Sequence, residues 1–387
     1  MLAVRAHVGR HASERSVDAY CNRSLSTLSA RITPRPQHPR MVPRFQDTLE
    51  FLSHARAWPD PAGSVIVRDT HWSVIFLTER HAYKLKKPLR RASVDLTTVQ
   101  SRHANCLAEI QLNRRLAPQV YLGLVAAQES SDGLLLQDLT LPRPHSASPL
   151  HANVVDWLVK MLRLPASAML DQIIRAGALQ QPDVVAVAEV LSHFYRRTAR
   201  IQITGTVYRT QQELALQSVC QALRTPDYAQ DDSLIEAIES AQQHFLRAHA
   251  SELEMRAVAG RILEGHGDLR PEHVCLAGSP VFIDCLEFDR RLRIADAADE
   301  LAGLAIECAF LGAPRVRPWL FEAYGHASGD VVSAPLVRFY SVQRALMRAR
   351  MAAWHLDDPI SDSLRTHWRA RASAFLQLAW AQLQERD

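Results

Sequence analysis

The chain has 387 residues, 47% of them hydrophobic, which is enough to bury a large core and to form two domains or lobes. Its net charge of +4 sits at one end: residues 1–40 hold seven Arg against Glu14 and Asp18, and the remainder carries 38 basic and 39 acidic residues. A body so balanced is no nucleic-acid binder by charge, and no run approaches the roughly 18–20 uninterrupted apolar residues of a membrane span.

Residues 1–40 are rich in Arg and Ser and lack sustained apolar periodicity. The composition mimics a transit peptide without the apolar stretch of a secretory signal, and reads most simply as a disordered extension or a misassigned start, with Met41 as initiator. A short helix is expected over 47–56, stopped by Pro59 and Pro61. Three strand-like runs follow, Ser64–Arg68, Trp72–Leu77 and Ala82–Lys86, joined by short polar connectors as an antiparallel meander. Strand side chains alternate, so Lys84 and Lys86 share one face and Leu85 takes the other.

Only four of the 45 basic side chains are Lys, namely Lys84, Lys86, Lys87 and Lys160, and three of them fall within four positions. A compact ammonium differs from a guanidinium as a phosphate ligand; a solvated strand end is the plain alternative. A helix is expected over 97–117, with Glu109 beside its apolar stripe. Strands at Leu122–Ala126 and Gly133–Asp138 precede a Pro-rich loop at 141–149, and Val154–Met161 reads as a last strand running into a connector.

Beyond 161 the chain reads as helices at 166–178, 182–200, 209–223, a long 231–257, 296–311, 315–326, 332–354 and 361–385. One stretch interrupts them: Glu264-Gly-His-Gly-Asp-Leu-Arg-Pro-Glu-His-Val-Cys275, followed by Val281-Phe-Ile-Asp-Cys-Leu-Glu-Phe288. Two polar clusters, His266, Asp268 and His273, then Asp284 and Glu287, flank a β-hairpin turning at Ala277–Pro280. Carboxylates gathered beside buried strands are costly unless a cation binds there, and a metal–nucleotide would serve. Solvated loop acids are the bland reading. The six cysteines form no C-x-x-C pair, so neither a metal site nor a disulfide framework is expected, and a reducing cytoplasm is the simplest setting. Cys275 and Cys285 read as apolar fillers across the hairpin.

His-Gly-Asp, a polar residue five positions after the Asp, then an apolar pair and a second Asp resembles the catalytic loop and metal-binding strand of kinase-like phosphotransferases of the aminoglycoside and choline kinase group. The strand order, with a Lys-bearing third strand and a Glu-bearing helix, is similar to a kinase N-terminal lobe. From about Met41 the chain resembles a bacterial aminoglycoside phosphotransferase-like family, some of whose members are fused to a P-loop ATPase-like domain. The resemblance is carried by Asp69-Thr-His71, Ala82-Tyr-Lys-Leu-Lys-Lys-Pro88, Leu112-Asn-Arg-Arg-Leu-Ala-Pro118, Arg163-Leu-Pro165, the central loop, Phe282–Phe288 and Arg344–Arg350. No G-x-x-x-x-G-K-[ST] run occurs.

The resemblance implies an α+β, bilobal protein kinase-like fold, with a small β-rich nucleotide-binding lobe at 41–160 and a large helical lobe at 161–387. It implies a cytoplasmic, ATP- and Mg²⁺-dependent phosphotransferase acting on a small-molecule hydroxyl. Adenine would lie near the Trp157–Met161 connector. Lys84 (or Lys86) would hold phosphates, with Glu109 as its partner and Thr70 in place of the missing Gly-rich loop. Asp268 would position the acceptor; Asp284, with His273 and Glu287, would hold the metal. His273 stands where the kinase pattern has Asn, and a neutral imidazole prefers softer ions than Mg²⁺. A nucleotide-binding module without transfer, or an AMP-transferring enzyme, are the alternatives. His266 reads as a residue that positions Asp268, Asp296 as a helix cap with Asp299 beside it, and Arg344 with Arg348 as either a basic face for an anionic substrate or a solvated one.

Overall fold

The computed structural model describes residues 43–58, 63–91, 94–139 and 153–385. The expected extension at 1–40, the start at Met41, the stop at Pro59 and Pro61 and the loop at 141–149 lie outside the described residues. The described residues divide into two compact units: those from Pro43 to Arg163 apart from Arg115–Ala117 form one, and Arg115–Ala117 with the described residues from Leu164 onward form the other.

In the first unit, α1 (Pro43–Leu52) precedes the meander β1 (Ile66–Asp69), β2 (Ser73–Leu77) and β3 (His81–Lys86). Threonine closes both turns in the same way. Thr70 and Thr78 each use the backbone N–H and the hydroxyl to donate to the carbonyl three residues on, while the hydroxyl accepts that residue's N–H. A minor ribbon, β4 (Arg90–Arg91) with β5 (Val94–Asp95), leads to α2 (Val99–Asn113), capped by the Thr98 hydroxyl on Ser101 N–H. Then come β6 (Tyr121–Ser130), β7 (Gly133–Leu139) and β8 (Val154–Leu162).

The six strands form one antiparallel sheet in the order β1-β2-β3-β8-β6-β7. Thus β8, last in the chain, lies in the middle of the sheet. Residues expected to form a connector are paired on both sides, with Leu158 opposite Leu85 and Val125, and Val159 opposite Lys84 and Leu124. The strand runs on to Leu162, so Trp157–Met161 is no connector. Alternation along β3 sends Tyr83 and Leu85 into an apolar cluster with Leu52, Trp58, Phe76 and Leu158, and puts Lys84 and Lys86 on the opposite face.

The second unit is helical around a short β core. Its elements are α3 (Leu170–Arg175), α4 (Gln181–Arg197), α5 (Gly205–Leu223), α6 (Asp232–Ala248), α7 (Ala250–Val258), β9 (Ile262–Glu264), β10 (Val274–Cys275), β11 (Val281–Phe282) and β12 (Ile294–Asp296), then α8 (Ala297–Phe310), α9 (Val316–Ser328), α10 (Ala334–Trp354) and α11 (Asp362–Gln384). Two expected helices are broken. Met169 is extended, φ −73° and ψ 136°, and bridges Cys275, so only a 3₁₀ turn and the short α3 form over 166–178. The long 231–257 helix breaks at His249, which stacks on Phe245 at 4.4 Å and accepts the N–H of Leu253 to restart the chain as α7. The hairpin forms as expected, with Val274 opposite Phe282 and Cys275 opposite Val281. None of the five described cysteines forms a disulfide. Among the described residues no helix is long and apolar enough to cross a membrane.

Candidate functional site

The residues singled out above fall into two groups, one in each unit. In the first unit, Glu109 on α2 is buried and faces both β3 lysines. Its Oε1 lies 2.9 Å from Lys84 Nζ, and its Oε2 is ion-paired with Lys86 Nζ. Nearby, Arg102 grips Asp156 through two bonds of 2.8 and 2.9 Å, which fixes α2 against β8. Thr70 closes the β1–β2 turn. Its N–H and hydroxyl both serve the turn to Ser73, and its carbonyl accepts Lys87 Nζ at 2.5 Å.

In the second unit the His-Gly-Asp loop is built around one buried carboxylate. Glu300, in the first turn of α8, accepts the N–H groups of His266 and Gly267 at 2.7 Å each and the Tyr195 hydroxyl at 2.8 Å. The glycines make room for it. A Cβ on Gly265 would lie 2.5 Å from the Glu300 carboxylate, and Gly267 has φ 87° with Arg293 and Leu286 pressed against it. Arg115 closes the other side, donating to the carbonyls of Glu264 (3.0 Å) and Gly265 (2.8 Å).

The His266 ring spans the loop. Nε2–H donates to the Ile283 carbonyl at 2.9 Å, so Nδ1 accepts the Asp268 N–H at 3.3 Å. Burial, with His273 nearby, lowers its pKa to about 3, so the ring is neutral and this tautomer persists. It positions Asp268, as its place in the sequence suggests.

Asp268, His273 and Asp284 form a row. His273 Nδ1–H donates to the Asp268 carbonyl at 2.9 Å and lies 3.8 Å from that residue's Oδ2; its Nε2 lies 3.6 Å from Asp284 Oδ2. Burial opposes charge on His273, but the carboxylates of Asp268, Asp284 and Glu272 outweigh it and raise its pKa. Burial likewise raises the Asp268 pKa, against the pull of Arg270, His273 and Arg348. Asp284 is one of two described non-glycine residues with positive φ, at 63°. That turn ends the strand after Phe282, and Leu286 N–H then bonds back to the His266 carbonyl at 3.1 Å.

Among the described residues no three His, Cys, Asp or Glu side chains cluster as metal ligands. For a hard cation such as Mg²⁺ the Asp284 carboxylate fits, since that ion takes one or two carboxylates and fills its remaining sites with phosphate and water. The His273 ring, a soft nitrogen ligand drawn toward its protonated form, does not fit.

Other expectations resolve into structure. Asp296 caps α8 by accepting the Ala298 N–H at 2.8 Å and is clasped by Arg256. Arg344 makes a two-bond pair with Asp299, 2.7 Å each, and buried Arg348 pairs with Glu307, so they form neither a basic face nor a solvated one. Glu300 and Arg115 went unrecognised in the sequence. Glu300 reads there as an ordinary first-turn acid, and Arg115 is one of many arginines.

No protein-family model matches the chain. It is 31% identical over 292 residues to uncharacterised proteins of Mycobacterium tuberculosis and Mycobacterium bovis, an alignment covering 74% of this chain and 54% of theirs. The chain therefore spans about half the length of the curated relatives it matches. Among solved structures, a choline/ethanolamine kinase family protein from Mesorhizobium loti superposes with a TM-score of 0.50 at 14% identity, covering 88% of this chain and 95% of that one. With an N-terminal antiparallel sheet and a large helical C-terminal part, the chain has a fold of the choline/ethanolamine kinase type.

Proposed function

We propose that the chain is an ATP-dependent phosphotransferase acting on the hydroxyl of a small molecule. One observation carries this reading: Asp268 and Asp284 are held on either side of His273, the second at a left-handed backbone angle. Asp268 would accept or orient the acceptor hydroxyl, and its raised pKa suits a group that exchanges a proton. Asp284 would hold Mg²⁺, which when bound would neutralise charge on the phosphates. Lys84, braced by Glu109, would take the phosphates in the manner of kinase-like enzymes. A cytoplasmic setting and a division near residue 160 between nucleotide-binding and acceptor-binding parts belong to the same proposal.

The test is ATP turnover against a panel of small hydroxyl compounds, with Asp268→Ala as control. Positioning and charge neutralisation supply most of the rate in this chemistry, so the variant should lose about a hundredfold or more. Turnover at the wild-type rate would remove Asp268 from the mechanism. A second reading, a nucleotide-binding module without transfer, is favoured by His273, whose ring lies between the two carboxylates and compensates them without a metal. Thermal stabilisation by ATP that requires Mg²⁺ supports the enzyme; stabilisation indifferent to Mg²⁺ supports the module.

A further inference from the structure

In the first unit one carboxylate serves two ammonium groups, and the two are not alike. The Lys84 side chain is 12% exposed, whereas those of Lys86 and Glu109 are 0% exposed. Enclosing an ammonium is costly, and an apolar side chain in that place is often as stable or more so. The chain keeps Lys there although it uses Arg almost everywhere else. The register leaves no freedom: Lys84 and Lys86 lie opposite Ile75 and Ser73 of β2, with Tyr83 and Leu85 buried on the other face. Both lysines therefore point to α2, where Glu109 divides its oxygens between them. The helix holds Glu109 from behind, since Asn113 Nδ2 donates to its carbonyl at 2.9 Å.

We propose, on the basis of the phosphotransferase reading above, that Lys86 is a positioning residue for phosphate binding. By holding one oxygen of Glu109 it leaves Lys84 to share only the other, so Lys84 offers more of its positive charge to the nucleotide's polyphosphate. A lysine facing a carboxylate alone is a nearly neutral pair at phosphate distance; a second ammonium on the same carboxylate tips the local field positive. Lys86 sets the strength of that field without touching the ligand.

The test measures the affinity of the full chain for Mg²⁺–ATP and for adenosine by calorimetry, in wild type, Lys86→Met and the double variant Lys86→Met/Glu109→Gln. Lys86→Met should weaken ATP binding about tenfold and leave adenosine binding within about twofold. The double variant should regain most of the ATP affinity, because removing the carboxylate's charge frees Lys84 again. A purely structural Lys86 would not give that recovery. Lys86→Gln keeps a hydrogen-bond donor for Glu109 while removing the charge, and carries the same expectation should the Met variant fail to fold. Unchanged ATP affinity in the Lys86 variants, equal loss of both ligands, or a double variant weaker than the single overturns the inference and leaves the phosphotransferase reading standing. A wild-type chain that binds neither ligand overturns both.

Discussion

At Asp284 a single backbone angle separates strain from chemistry. A left-handed residue other than glycine costs about 1–2 kcal/mol, less for Asp and Asn, whose short polar side chains bond locally. With φ at 63°, Asp284→Ala should lose about 1 kcal/mol of stability, while Asp284→Asn stays within about 0.5 kcal/mol of wild type. Both variants lack the carboxylate, so under the proposed phosphotransferase function both should lose phosphoryl transfer by about a hundredfold or more. Urea melts and initial rates on the three proteins separate the effects. Transfer retained by the Asn variant would take the carboxylate out of the mechanism; equal stabilities would mean that the angle carries no cost.

The catalytic-loop candidate is an element whose shape is set from outside it. Four chain-distant groups hold the backbone of 264–268: Glu300 takes two N–H groups, Arg115 two carbonyls, Ile283 the His266 ring, and Arg293 the Gly265 N–H at 2.7 Å. Glu300→Ala would orphan two amides and the Tyr195 hydroxyl, at a cost of about 3–5 kcal/mol. Glu300→Gln keeps an oxygen for the amides and an amide group that Tyr195 can accept, and should cost only about 1–2 kcal/mol. Chemical denaturation ranks the two; an Ala variant as stable as the Gln variant would show that the loop holds its shape unaided.

Across the helical unit, ion pairs tie distant segments together. Arg256 on α7 bonds Asp296, the cap of α8, and Asp330, which follows α9; Tyr340 of α10 adds a bond to Asp296 at 3.0 Å. Burial works to raise the Asp330 pKa, but Arg256 and Arg261 outweigh it and hold it below the usual carboxylate value. A depressed folded pKa means stability that is full above the unfolded value, about 3.9, and is lost as pH falls through the folded one. Asp330→Asn should therefore cost about 1–3 kcal/mol at pH 7, and its melting-temperature gap from wild type should close as pH drops below about 4. A gap that persists unchanged at low pH would assign the effect to packing rather than to the carboxylate.

What the sequence determined by itself is what neighbouring residues enforce. Alternation put Lys84 and Lys86 on one face of β3, a capping carboxylate placed Asp296 at a helix start, and the His-Gly-Asp spacing marked the loop, because periods, caps and turns depend on residues a few positions apart. The tertiary structure decided what depends on partners far along the chain. It drew Met169 out of a helix toward Cys275, set β8 in the middle of the sheet rather than at its end, enclosed Lys86 but not Lys84, and turned Arg344 and Arg348 inward to Asp299 and Glu307. No local pattern carries such choices, since which carboxylate a buried cation meets is settled only when residues 25 to 74 positions apart come to lie side by side.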